Sequence, residues 1–149
     1  MPYETIEIAV LGIVHKIDGY GAINATRGDF SILRDGVDKA IVLMPGGVRN
    51  RELIAAPRRM STAWVVNLML YIPSVQDYID LHGRIISYRQ EIIDEFDKWH
   101  RLNGTAGVVN SLIVSIQEPM PMVASSGRGY IKIMFDLMIT ERTTVVSGE

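Results

Sequence analysis

The stretch STAWVVNLMLYIPS at residues 61–74 decides the fold. Trp64, Val66, Leu68, Leu70 and Ile72 fall on one face of an extended chain, and Ala63, Val65, Asn67, Met69 and Tyr71 on the other, because side chains alternate along a strand. Pro73 ends the strand, having no amide to donate to a ladder. Ser74 then reads as a helix cap, with Asp77 three residues on completing a capping-box-like pattern. From there to about Leu102 the apolar residues Val75, Tyr78, Ile79, Ile85, Ile86, Ile92, Ile93, Phe96 and Trp99 recur at helical spacing. Such a helix is about 40 Å long at ~1.5 Å per residue. A single apolar stripe means that it packs on one surface, and Asn103-Gly104 stops it.

Working outward, a second long strand lies near the C-terminus. Ile131, Ile133, Phe135, Leu137 and Ile139 alternate with Tyr130, Lys132, Met134, Asp136 and Met138. Before it, Leu112, Val114 and Ile116 alternate with Ser111, Ile113 and Ser115, and the turn Ser125–Gly129 joins the two as a hairpin. Residues 143–149 read as a frayed end. On the N-terminal side, Ile6, Ala9, Val10, Ile13, Val14 and Ile17 predict a short amphipathic helix closed by Asp18-Gly19. Residues 19–37 read as loop with one short strand near Phe30–Leu33. Ala40–Met44 is a strand stopped by Pro45-Gly46-Gly47, and residues 45–60 form a projecting, arginine-bearing hairpin. The order is helix, strand, strand, helix, strand, strand. It predicts one α+β domain over residues 1–149, a mostly antiparallel sheet with one long and one short helix packed on one face. A doubly wound nucleotide fold would need repeated βαβ crossovers.

Composition is that of an ordinary globular chain: 149 residues, 48% apolar and 21% charged, with a net charge of −2. A binder of duplex nucleic acid usually carries a basic excess, and this chain has none overall. With no cysteine, disulfides, thiolate metal sites and cysteine nucleophiles are excluded. The opening Met-Pro-Tyr-Glu-Thr lacks the basic n-region of a signal peptide, and the apolar run Trp64–Ile72 is too short to span a bilayer. The expectation is a soluble intracellular protein without a membrane segment.

Chemistry-bearing patterns are sparse. His15, His82 and His100 lack histidine or cysteine neighbours at ligand spacing; His82, near the helical stripe, reads as a partly buried histidine. Glu91, Asp94, Glu95 and Asp97 interleave with Arg89 and Lys98, which is the pattern of a solvated helix face with local ion pairs. Gly19-Tyr20-Gly21 and Gly46-Gly47 lack the flanking residues of a phosphate-binding loop, and no serine sits in a Gly-x-Ser-x-Gly elbow. The expectation is no enzyme, no cofactor and no metal site. Arg49, Arg51, Arg58 and Arg59 are the one concentrated basic feature, suited to docking an acidic partner or lining a nucleic-acid channel.

The second face of the sheet raises the main question. Val65, Met69 and Tyr71 lie on it from one strand, Met134 and Met138 from the other, whereas a solvated face is richer in Thr, Lys and Glu. An apolar patch of this kind marks an interaction surface, unless the 119–127 loop or the 45–60 segment folds over it.

The elements at Ile6–Ile17, Ala40–Met44, Ser61–Ile72, Ser74–Leu102 and Tyr130–Arg142 resemble, in order and texture, the tail terminator proteins of long-tailed, lambda-type bacteriophages. The resemblance covers most of the chain and rests on no signature motif. It implies a virion structural protein without catalysis, a homo-oligomer forming a hexameric ring. That ring would cap the tail tube protein at the neck-proximal end, end tube polymerisation, and offer a surface to a head–tail connector protein. DNA would pass through its channel without sequence-specific binding, and assembly would take place in the host cytoplasm. On this resemblance Val65, Met69, Tyr71, Met134 and Met138 face a neighbouring subunit or the tube, and Arg49, Arg51, Arg58 and Arg59 face the tube or the channel. Another head–tail connector or tail-completion protein is the nearest alternative. A small-molecule-binding α+β domain and a nucleic-acid-binding module are further ones.

Overall fold

A computed structural model describes residues 3–34, 36–54, 58–74 and 77–144. Its elements in chain order are α1 (Tyr3–Val14), β1 (Ala25–Arg27), a 3-10 turn (Phe30–Ile32), β2 (Ala40–Ile54), β3 (Arg59–Pro73), α2 (Tyr78–Lys98), β4 (Val108–Ile116), β5 (Met120–Val123) and β6 (Gly129–Thr144). The strands form one sheet in the order β1-β2-β3-β6-β4, with β5 also paired to β6. β1 runs parallel to β2 and every other pairing is antiparallel. The fold is α+β with a mostly antiparallel sheet, as the sequence predicts.

The alternation in 61–72 acts as expected. Val66, Leu68, Leu70 and Ile72 are buried opposite Leu137, Phe135, Ile133 and Ile131 of β6. Ile41 and Leu43 of β2 extend the same layer. Over it lie Ile6, Val10, Ile13 and Val14 of α1 and Leu81, Ile92 and Phe96 of α2. Both helices therefore cover one face. Burying each such side chain contributes about 1.5–3 kcal/mol relative to exposure, which makes this layer the dominant stabilising feature.

Several boundaries differ from the sequence expectation. α2 begins at Tyr78, because Asp77 and not Ser74 caps it: its carboxylate accepts hydrogen bonds from the Ile79 and Asp80 amides at 3.0 and 3.2 Å. The helix ends at Lys98, so its 21 residues span about 32 Å at ~1.5 Å per residue. Tyr78 and Ile79, counted in the apolar stripe, are 82% and 87% exposed: the first turn stands beyond the sheet. Val75, also counted there, lies outside the described residues. His82 is exposed, not partly buried.

Phe30–Ile32 is a turn and not a strand. The Asp29 carboxylate accepts from the Ser31 amide at 2.9 Å and its hydroxyl at 2.6 Å, holding the backbone curled. The strand in this region is β1. The strand that starts at Ala40 does not stop at Pro45-Gly46-Gly47: with only a register shift there, β2 runs on and stays paired with β3 out to Ile54 and Arg59, and β6 flanks β3 as far as Thr144. Thr143 and Thr144, expected to fray, are ladder residues. Residues 55–57 and 145–149 lie outside the described residues.

Candidate functional site: the second sheet face

The second face divides into a covered half and an open half. Over the covered half, the chain between β1 and β2 folds back across the sheet. Ile32, Leu33 and Val37 pack with Ala40 and Val42 of β2, Tyr71 of β3 and Tyr130 of β6. Phe30 stands edge-on to the Tyr71 ring at 6.3 Å, and Tyr71 edge-on to Tyr130 at 6.3 Å, the offset geometry aromatic pairs favour. Met44, Met69, Met122 and Ala124 border this cluster. The covering segment is thus 30–37, which the sequence did not single out. The 119–127 region contributes only Met122 and Ala124, and the described part of 45–60 contributes nothing.

This layout sorts the predicted interface residues. Tyr71 is 2% exposed, and burial raises the pKa of its phenol. It belongs to a core made by its own chain and presents no surface to a partner. Met69 borders the same cluster, partly buried. Val65, Met134 and Met138 lie beyond the cover and are half-buried. In register, Val65 faces Met138 and Met69 faces Met134 across the β3–β6 ladder. Leu112 of β4 faces Met138 and is 47% exposed.

A shallow groove of about 370 Å³ runs across this open half, lined by Gly46, Val48, Arg49, Val65, Asn67, Val114, Ser115, Met134 and Asp136. Its walls are irregular strand: the β2 ladder shifts register between Pro45 and Gly47, and the β4 ladder between Ile113 and Ser115. Gly46 is required there, since a Cβ would sit 2.6 Å from Val65 Cγ1 and 2.9 Å from the Val65 carbonyl oxygen. The floor carries a polar pair, Asn67 opposite Asp136, and Ser115 Oγ donates to Asp136 Oδ2 at 2.7 Å. Asn67, Asp136, Ser115 and Leu112 are surface residues that sequence reasoning did not single out as site residues. The signal for Asn67 and Asp136 was a polar residue among apolar neighbours (Val65 and Met69, Met134 and Met138) on each of two strands.

The arginines are dispersed. Arg49 joins Val65 and Met134 at the groove, so the basic and apolar sets meet at one place. Arg51 and Arg58 are exposed farther along the hairpin, and Arg59 lines a separate depression at the sheet's far end.

The helix-covered face holds its polar groups by pairing. Buried Glu7 of α1 accepts from Arg27 Nε at 2.8 Å, and this bond, first among its causes, raises the Arg27 pKa. Trp64 Nε1 donates to Glu141 Oε1 at 3.2 Å. In the acidic set on α2, Glu91 pairs with Lys39 at 3.2 Å, Glu95 with Lys98 at 3.7 Å, and Asp94 accepts from Gln90 at 2.7 Å. No group of three or more His, Cys, Asp or Glu suited to hold a metal occurs among the described residues. No helix there is long and apolar enough to cross a membrane. A scan against known family models finds none that matches the chain, and a search of curated proteins finds no match either.

Proposed function

We propose that this protein is a structural subunit of a phage tail, a terminator of the lambda type that closes into a hexameric ring on the end of the tail tube. The observation that carries this reading is the open half of the second sheet face. There Val65, Met134, Met138 and Leu112 remain outside the cluster that Ile32, Leu33 and Val37 cover. Exposed apolar surface around a polar groove is the mark of a protein–protein contact. A heterologous contact between this face and another part of the next subunit closes into a ring when the rotation allows it. Arg49 at the groove, with Arg51 and Arg58 along the hairpin, supplies charge for orienting a tube or connector surface.

The test is solution mass by light scattering after size exclusion, in low and in high salt, followed by electron microscopy with purified tail tubes. A ring that persists in high salt and seats on tube ends is the expected result. A monomer that also leaves tube ends bare would refute the reading.

A further inference from the structure

We propose that a depression at the far end of the sheet binds a phosphate group through the guanidinium groups of Arg59, Arg101 and Arg142. These residues lie far apart in sequence, on β3, in the turn after α2, and on β6. They nevertheless line one shallow depression of about 320 Å³, with no acidic side chain among its lining residues. The register explains two of them. Arg59 pairs with Thr144 and Ser61 with Arg142, so Arg59 and Arg142 are diagonal neighbours on one side of the ladder. The third is brought by the turn. Leu102 is 1% exposed and, with Asn103 and Gly104, takes a left-handed backbone at φ 48°, 56° and 76°. Anchored by that leucine, the chain reverses after Arg101 and returns along β6, where the Arg142 amide donates to the Gly107 carbonyl at 2.9 Å.

Arg27, Lys39, Arg84 and Lys98 each have a carboxylate partner. Arg59, Arg101 and Arg142 have none among the described residues, although Asp97 sits one helical turn before Arg101. In a chain of net charge −2, three arginines lining one depression, with no carboxylate partner among the described residues, make a local positive field. The planar guanidinium fork matches the oxygens of a phosphate in bidentate geometry. Gly107, also in the lining, has an amide that donates to no backbone acceptor among the described residues. No aromatic side chain lines the depression, so there is no platform for a nucleobase. The chemistry recognised is the phosphate itself, whether free or in a nucleic-acid backbone.

The experiment titrates the whole chain at low salt with inorganic phosphate, following the Gly104 and Gly107 amides by NMR. A parallel titration follows a fluorescent duplex oligonucleotide by anisotropy. The variants are R101Q/R142Q and a charge-matched control, R34Q/R89Q, outside the depression; circular dichroism checks that each folds. Saturable shifts at Gly104 and Gly107 are expected, with affinity about tenfold weaker in R101Q/R142Q and little changed in the control. If the duplex binds and its salt slope falls by about two in R101Q/R142Q, the phosphate belongs to nucleic acid. If only free phosphate binds, the free anion is the ligand. Absence of shifts with both ligands, or an equal loss in the control, overturns the proposal.

Discussion

Replacing Lys39 by methionine tests how the covering loop is locked to α2. Lys39 Nζ lies 3.2 Å from Glu91 Oε2 and 3.1 Å from the Asp18 carbonyl oxygen, with the Tyr20 and Tyr88 ring centroids at 4.3 and 4.7 Å. Its side chain is 12% exposed, that of Glu91 40%. At an effective dielectric of about 20 the ion pair has a gross attraction of about 5 kcal/mol. Desolvation of the ammonium and screening of the half-open carboxylate reduce this to about 1 kcal/mol net. The two ring contacts add about 1–2 kcal/mol together. Methionine retains most of the stem packing, so K39M should lose about 2 kcal/mol in urea unfolding and lower Tm by roughly 4–8 °C for a chain of this size. E91Q should lose about 1 kcal/mol. The double variant should lose less than the sum, because once the ammonium is gone Glu91 has nothing left to pair with. A K39M protein within about 0.5 kcal/mol of the parent, or strict additivity with E91Q, would refute this account.

Four further outcomes follow from the same structure. Tyr20 Oη is buried with no hydrogen-bond partner among the described residues, so Y20F should be neutral or stabilising by about 1 kcal/mol in urea unfolding, the ring over Lys39 being retained. Burial raises the Tyr20 pKa, so the unfolded phenol ionises first and the parent loses stability relative to Y20F as the pH rises above about 10. Thermal melts of Y20F should therefore fall less steeply than the parent's through that range. G46A should lose about 1–3 kcal/mol by chemical unfolding, because its Cβ would meet the Val65 carbonyl oxygen at 2.9 Å as well as Val65 Cγ1 at 2.6 Å, and the backbone atom cannot move aside. M138D should leave monomer circular dichroism intact and, if the proposed ring forms, shift the light-scattering mass to that of a monomer, whereas Y71D should fail to fold.

The parts of the fold that sequence made legible are those where one period governs a long run. Residues 61–72 and 131–139 each keep strict alternation and were legible as strands, but their pairing with each other is a matter of topology that alternation does not contain. α2 was legible as a helix but not in its limits: Tyr78 and Ile79 continue the apolar spacing although the sheet beneath them has ended. The cover over the second face was hidden because Ile32, Leu33 and Val37 are scattered among turn-forming residues with no period. For the same reason Tyr71 was grouped with Val65 and Met138, since parity places a residue on a face but does not say what lies above it. The convergence of Arg59, Arg101 and Arg142 depends on strand register and on a left-handed turn, and local spacing contains neither.

The central ladder also constrains how the protein is made. β3 pairs along its whole length with β6, Arg59 with Thr144 through Pro73 with Tyr130, and α2 and β4 lie between them in the chain. From the time β3 is made, its β6-facing edge stays unsatisfied through the synthesis of α2, β4 and β5, until the β6 residues follow. Long-range pairing of this kind forms slowly, and an apolar strand with a bare edge is a template for self-association. Synthesis halted before residue 130 thus yields a nascent chain that needs a chaperone or is cleared by proteolysis, while completion of the last strand seals the edge in a single step.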